Sequence, residues 1–225
     1  RPQPFCQAGF VAIAHYHSAL CTDLGQTDPR LARVTARLAA QGVTWRSLTA
    51  AELATAATFE LLLQALHPLI HTSFRRNFLF TPLSQHEFSR RYQPLRAYLR
   101  PELCWLATAA GQAVGFLLAL PDYSQGERAG ETLVVKTLAV RPGRTYAGLG
   151  ALLLARSQQQ AQQLGYRRAI HALMHTANPS RCLSDRYAEP WRRYVLLSRQ
   201  LANATTGSLS LKIPLPILTG GLRER

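Results

Sequence analysis

The sequence predicts a mixed α/β (α+β) domain, in which helices flank a central mixed, mostly antiparallel, sheet. Three observations point to it. A chain of 225 residues that is 47% hydrophobic and 17% charged has enough apolar side chains for one substantial core. Two apolar runs, 102–109 and 113–120, are separated by Ala110, Gly111 and Gln112, a hairpin signal. A third apolar strand at 132–140 runs through a glycine-containing turn into a helix at 149–164 and on to a strand at 168–175, which reads as a right-handed crossover unit.

Each element has a local reason. Residues 8–20 alternate in character and read as a short strand. Asp28 and Pro29 open a helix over 30–40 in the order of cap and first-turn proline. Gly42 closes that helix, and 43–48 alternates as a strand. Residues 50–66, rich in Ala and Leu, form a helix, and so do 83–99 between Pro82 and Pro101. After the hairpin, 122–130 is polar and predicts an exposed loop. The helix at 149–164 gathers Leu149, Leu152, Leu153, Ala161 and Leu164 near one face and ends at Gly165. A short helix at 179–187 and a strand at 192–201 follow. The tail, with Pro214, Pro216, Gly220 and Gly221, offers an edge strand at 208–213.

Composition excludes several classes. So many apolar residues and so few charges are incompatible with intrinsic disorder. The best apolar run, 113–121, is far short of the roughly 18 residues of a membrane span. Cys6, Cys21, Cys104 and Cys182 are scattered, without the spacing of a disulfide scaffold or a zinc knuckle. With no signal segment visible, the expected location is the cytoplasm. His67 and His71 have Pro68 between them and no HExxH glutamate, and His15 and His17 have no third ligand nearby, so no metal is expected. No GxSxG elbow is present. The net charge of +14 comes from 26 basic against 12 acidic residues, all but Lys136 and Lys212 of the basic ones being arginine. Such a surface favours a polyanionic partner. The same arginine bias follows from GC-rich coding sequence, and no motif supports nucleic acid as the partner.

The segment that carries chemistry is TLVVKTLAVRPGRTYAGLGALLL, residues 132–154. A buried strand enters a loop with Gly143, Gly148 and Gly150, where a helix begins. Converging backbone N–H groups and the positive helix end make a phosphate-binding nest, and glycine permits close approach. A triphosphate loop is excluded by the absence of GKS or GKT, and GxGxxG fails because position 153 is Leu.

Here the chain resembles the Gcn5-related N-acetyltransferase (GNAT) superfamily, whose signature is Arg/Gln-x-x-Gly-x-Gly/Ala opening a helix after a strand. The matching residues are Thr145 to Gly150; the lead position is Thr145, with Arg144 one place earlier. Residues 138–142 resemble the superfamily's fourth strand, 172–178 its fifth strand and following Asn, and 187–196 the end of the next helix and the closing strand. Residues 171–180 are similar to one particular branch. About 160 residues, 42–201, follow the superfamily's element order, which sets expected boundaries: an extension 1–41 that resembles the end of a preceding GNAT-like repeat or is an independent decoration, the acyltransferase domain 42–201, and the tail 202–225.

The resemblance implies a GNAT-type acyl-CoA N-acyltransferase fold, with the fourth and fifth strands splayed and the pantetheine arm of acetyl-CoA, or another acyl-CoA, in the gap. The arm pairs with backbone near Leu138, Ala139 and Val140, and the N–H of Val140 or a neighbour polarises the thioester. Arg144, Thr145, Tyr146, Ala147, Gly148, Leu149, Gly150 and Ala151 surround the pyrophosphate, and Asn178 and Ser180 add cofactor contacts. The implied activity is transfer of an acetyl or other acyl group to a primary amine by direct attack. Tyr187 is the expected acid, ahead of Tyr146 and Tyr194. His175 is the expected proton shuttle, sharing a strand face with His171 and Leu173 by the period-two rule. The fourth strand offers no carboxylate except Glu131 at its entrance. The acceptor, a small-molecule amine, is expected between the helices at 50–66 and 83–99 and the loop 122–130. Two alternatives stay open: an acidic acyl carrier protein as donor, and a non-catalytic acyl-CoA-binding or nucleic-acid-associated module. No membrane partner is expected, and a homodimer is compatible.

Overall fold

A computed structural model of the chain describes residues 3–124, 130–177 and 183–200. Its helices are α1 (Gln3–Gln7), α2 (Leu31–Ala40), α3 (Ala50–Ala54), α4 (Ala56–Phe74), α5 (Gln85–Tyr92) and α6 (Leu149–Gln163). Its strands are β1 (Val11–Cys21), β2 (Thr44–Ser47), β3 (Trp105–Ala109), β4 (Gln112–Pro121), β5 (Thr132–Val140), β6 (Arg168–His175) and β7 (Glu189–Ser198). The strands form one seven-stranded sheet in the order β2-β3-β4-β5-β6-β1-β7. Only β5 and β6 pair in parallel; all other neighbours are antiparallel. This is the expected mixed, mostly antiparallel, class.

Two cores sit on the two faces of the sheet. On one, Leu149, Leu152 and Leu153 of α6 and Leu38 of α2 pack on Val114, Leu117, Ala119, Leu133 and Val135. On the other, Phe59, Leu62, Leu63 and Leu66 of α4 and Phe88 of α5 pack on Leu106, Phe116, Leu118 and Ala139. Gly115 on β4 lets α6 lie close, since a Cβ there would stand 2.8 Å from Leu149 Cδ2.

Local chemistry moves several boundaries. The helix expected over 50–66 is two helices, because Thr55 takes an extended backbone and caps α4 with a reciprocal Thr55–Thr58 box. A second box, Thr49 with Glu52, starts α3, and Ser84 with Glu87 starts α5. α4 then continues through Pro68 to Phe74. The proline removes one backbone hydrogen bond, but Leu69 and Ile70 beyond it are buried, and their packing holds the last turns helical. The helix expected over 83–99 ends at Tyr92 and tightens to 3₁₀ over Gln93–Tyr98. Residues Pro101–Leu103 form a 3₁₀ turn ahead of β3, and β7 begins at Glu189, before the expected start. Of the short helix at 179–187 only the end, from Leu183, is described, and the edge strand expected at 208–213 lies outside the described residues.

The extension is built into the sheet. β1 lies between β6 and β7 and pairs with both. Helix α2 lies on the α6 face, where Leu38 is fully buried.

Candidate active site

β5 and β6 pair only from Thr132–Val135 against Arg168–His171, and then part. Both strands carry an irregularity at the point of separation. On β5, Leu118 pairs with Thr137 and Ala119 with Val135, so Lys136 is an extra, bulged residue. On β6, the register against β1 slips between His171 and Met174, and Leu173 takes a left-handed backbone at φ 49°. A left-handed non-glycine residue costs about 1–2 kcal/mol, and the bulge it forms bends the strand. The Leu173 N–H is held at 3.3 Å by Ser18 Oγ of β1. The gap is therefore a consequence of two bulges, one on each strand.

The β6 bulge corrects one expectation. His171 and His175 do not share a face. His171 turns to the α6 side, where its ring lies between Gln158 Nε2 at 3.1 Å and Ser184 Oγ at 2.7 Å. The Gln158 amide donates to Nε2, so the proton is assigned to Nδ1, which donates to Ser184. Burial pushes the pKa of His171 down to about 4, so the ring is neutral and structural. His175 turns the other way. Its ring stacks on Phe78 at 5.5 Å and meets Tyr16 edge-on at 5.1 Å. Its Nδ1 accepts the Ala177 N–H at 3.1 Å, which leaves the proton on Nε2 as a donor.

Across the gap, Ser73 in the last turn of α4 bonds both backbone groups of Val140. Its hydroxyl donates to the Val140 carbonyl and accepts the Val140 N–H, each at 3.1 Å. The segment from Ser73 to Phe78 thus runs from the free edge of β5 to the end of β6. Glu131 stands at the opposite, paired end, 3.9 Å from Arg168. The space between α4 and α5 themselves is filled by Phe59, Leu63, Leu66, Phe88 and Tyr92, while residues 125–129 of the loop expected to complete the acceptor cleft lie outside the described residues.

The glycine loop leaves β5 at its open end. Arg144–Tyr146 makes one 3₁₀ turn, and α6 begins at Leu149 with no side-chain cap. The first-turn N–H groups of Leu149, Gly150 and Ala151 are therefore available to a ligand, at the positive end of the helix. Gly148 is required by its backbone, with φ 84°, and by space, since a Cβ would stand 2.8 Å from Val34 Cγ1. Gly150 has ordinary room, with nothing nearer than 3.6 Å. An open cleft beside the loop is lined by Arg37, Gln41, Arg144, Thr145, Ala147 and Gly148.

Of the other expected residues, Leu138, Ala139 and Val140 form the open end of β5. Tyr187 is not brought to His175. It is buried in the α6-side core beside Asp28, Arg30 and Arg186, with its hydroxyl unpartnered among the described residues. Burial, and then the Asp28 charge, push its pKa up. Tyr194 lies on β7, paired with Tyr16. Asn178 and Ser180 lie outside the described residues. Sequence reasoning missed Ser73, Phe78, Arg37 and the bulged Lys136, whose partial burial lowers its pKa. No local pattern marks the first three, because each reaches the site from a distant segment. Among the described residues no cluster of metal ligands occurs, and no helix is long and apolar enough to cross a membrane.

A family model described as the acetyltransferase (GNAT) family matches residues 63–182, more than half of the chain. The chain belongs to the GNAT acetyltransferase family. Its fold is also found in a GCN5-related N-acetyltransferase from Sphaerobacter thermophilus, with a TM-score of 0.59 and 18% identity over 87% of this chain and 54% of the other. A second match is the GCN5-related glucosamine N-acetyltransferase region of a fungal multi-domain GH3 beta-N-acetylglucosaminidase, with a TM-score of 0.56 and 14% identity. That match covers 87% of this chain and 22% of the fungal one. This GNAT chain thus spans about half or less of the length of those relatives, and at such identities the likeness is one of fold. Among curated proteins none matches in sequence.

Proposed function

We propose that the protein is an acyl-CoA-dependent N-acyltransferase, moving an acetyl or other acyl group to a primary amine. The observation that carries this reading is the gap between β5 and β6 opening directly onto the uncapped N-terminus of α6. Acetyl-CoA supplies, when bound, a thioester carbonyl that an amine attacks, with the carbon–sulfur bond breaking and the thiolate taking up a proton.

The residues present fit such a co-substrate. The loop from Arg144 to Ala151 offers N–H donors and one guanidinium to a diphosphate. The open edge of β5 offers Leu138 and Val140, and the latter's N–H and carbonyl are kept paired by Ser73 until an amide replaces the hydroxyl. His175, whose Nδ1 accepts the Ala177 N–H, presents Nε2–H as a hydrogen-bond donor that can steady the departing thiolate, while the proton the thiolate takes up comes from the attacking amine. The roof from Ser73 to Phe78, with Tyr16 below it, makes an aromatic wall on the acceptor side. Asn178 and Ser180 remain proposed cofactor contacts. Tyr187 would need to leave its buried site to serve as the acid.

Calorimetric titration of acetyl-CoA, with desulfo-CoA and ATP as controls, tests the donor. Saturable binding of acetyl-CoA, far tighter than of ATP, followed by thiol release with an amine panel, is the expected result. Equal weak binding of all three would sink the reading. A carrier-protein donor is the second reading, favoured by the exposed Arg33 of α2 beside Arg37 and Arg144 at the loop. Thiol release from an acyl carrier protein but not from acyl-CoA would select it.

A further inference from the structure

Helix α2 lies upstream of the segment that the family model matches, yet it holds the phosphate loop. Arg37 Nη1 donates to the Thr145 carbonyl at 2.8 Å, and Nη2 donates to the Ala147 carbonyl. Nη1 also reaches Gln41 Oε1 at 3.2 Å, which steadies the guanidinium from the same helix. One turn earlier, Val34 packs against Gly148 at the distance that excludes any Cβ there. Two residues three apart on one helix face thus fix three positions of the loop, Thr145, Ala147 and Gly148.

Peptide planarity turns these contacts into an orientation. In a trans peptide the carbonyl of one residue and the N–H of the next point in opposite directions. With the Thr145 and Ala147 carbonyls drawn to Arg37, the N–H groups of Tyr146 and Gly148 face away from it. Released carbonyls could rotate and present their negative ends to an anion. The planar fork spans both oxygens at once, which a lysine ammonium cannot do with the same geometry. Among the described residues no carboxylate pairs with Arg37 or Arg144, so the cleft beside the loop keeps both positive charges.

We propose that Arg37 is a positioning residue of the phosphate loop and sets its selectivity for acyl donors that carry a diphosphate. The selectivity rests on the acyl-CoA reading above; the orientation of the loop does not. The test compares the whole protein with Arg37→Ala and Arg37→Lys, each checked for folding by its thermal melt. Arg37→Ala is expected to weaken acetyl-CoA binding at least tenfold, with thiol release from S-acetylpantetheine, which lacks the diphosphate, changed less than twofold. Arg37→Lys, keeping the charge without the fork, should fall between. In the free protein, hydrogen exchange of the Ala147 amide, which donates to the Arg144 carbonyl within the loop, is expected to rise at least tenfold in Arg37→Ala. Wild-type affinity for acetyl-CoA in Arg37→Ala, or an equal loss with S-acetylpantetheine, would overturn the selectivity. Unchanged exchange would overturn the orienting role. Failure of the wild-type protein to bind acetyl-CoA or inorganic pyrophosphate would refute the donor reading and the selectivity with it, leaving exchange to decide the loop's orientation.

Discussion

The two ends of the β5–β6 pair are made from the same two strands and satisfy their backbones differently. At the paired end, Thr132–Val135 and Arg168–His171 exchange ladder bonds, and an exposed Glu131–Arg168 contact closes the edge. At the open end, the ladder stops at two bulges, and side chains from distant segments stand where backbone would be. Ser73 takes the polar groups of Val140, while Phe78 and Tyr16 pack on His175. Half-buried N–H and carbonyl groups need partners. A hydroxyl that supplies both is easily exchanged for an amide, whereas a continuing strand is not. The paired end is therefore closed by its own ladder, and the open end is where the proposed acyl donor would lie.

Four measurements would break or sharpen that contrast. The largest effect is expected at the open end, where His175→Ala should lower turnover by about 10²–10³-fold while leaving acetyl-CoA affinity unchanged, the span typical of a lost hydrogen-bond donor to a developing anion. Steady-state turnover alongside calorimetry reads both, and full turnover would remove His175 from the chemistry.

Next comes His171, on the other face of the same strand. Its folded pKa, about 4, lies below the ordinary value of 6.5. The unfolded chain therefore takes up the proton first as pH falls, so stability is full above 6.5 and declines between 6.5 and about 4. The loss has an upper bound of roughly 3 kcal/mol. Denaturant midpoints over that window, compared with His171→Gln, should show the slope flattened in the variant.

Ser73→Ala should cost about 1–3 kcal/mol in the free protein, by stranding the Val140 groups. Saturating acetyl-CoA should recover much of that loss, so the ligand-induced rise in Tm becomes larger than in the wild type. An unchanged Tm in the free protein would show that the hydroxyl holds nothing. The smallest effect belongs to the paired end. Glu131→Gln should change stability by less than about 1 kcal/mol, because the pair is exposed and 3.9 Å apart, and urea midpoints would reveal any larger role.

What the sequence discloses and what it hides follow the same division. The strand, glycine turn and α6 are legible because the proposed phosphate loop would use backbone donors, and glycine is needed where φ is positive, as at Gly148. The hairpin and the crossover are equally local. The split at Thr55 was readable too, since Thr55 and Thr58 form a box within four residues, but the Ala and Leu content of 50–66 dominates a periodicity reading. The course of α4 past Pro68 rests on burial, which no local residue announces. Ser73, Phe78 and Arg37 act across long sequence separations, 67 residues for Ser73 to Val140 and 110 for Arg37 to Ala147. The opposite facing of His171 and His175 depends on one left-handed leucine, which alternation cannot anticipate.

The seat of β1 between β6 and β7 has a consequence for how the chain is made. Ser18 bonds Leu173 across a separation of 155 residues, and among the described residues β7 has no sheet neighbour besides β1. On the ribosome β1 is made before β6 and β7 and has neither sheet neighbour until both have followed it. Its apolar positions must wait, and such non-local pairing slows folding and lengthens exposure to aggregation. Loss of β1 by proteolysis would strip from both β6 and β7 the strand that lies between them, leaving a bare edge on each. A protease cut in this segment would be felt at β6 and β7, more than 140 residues further along the chain.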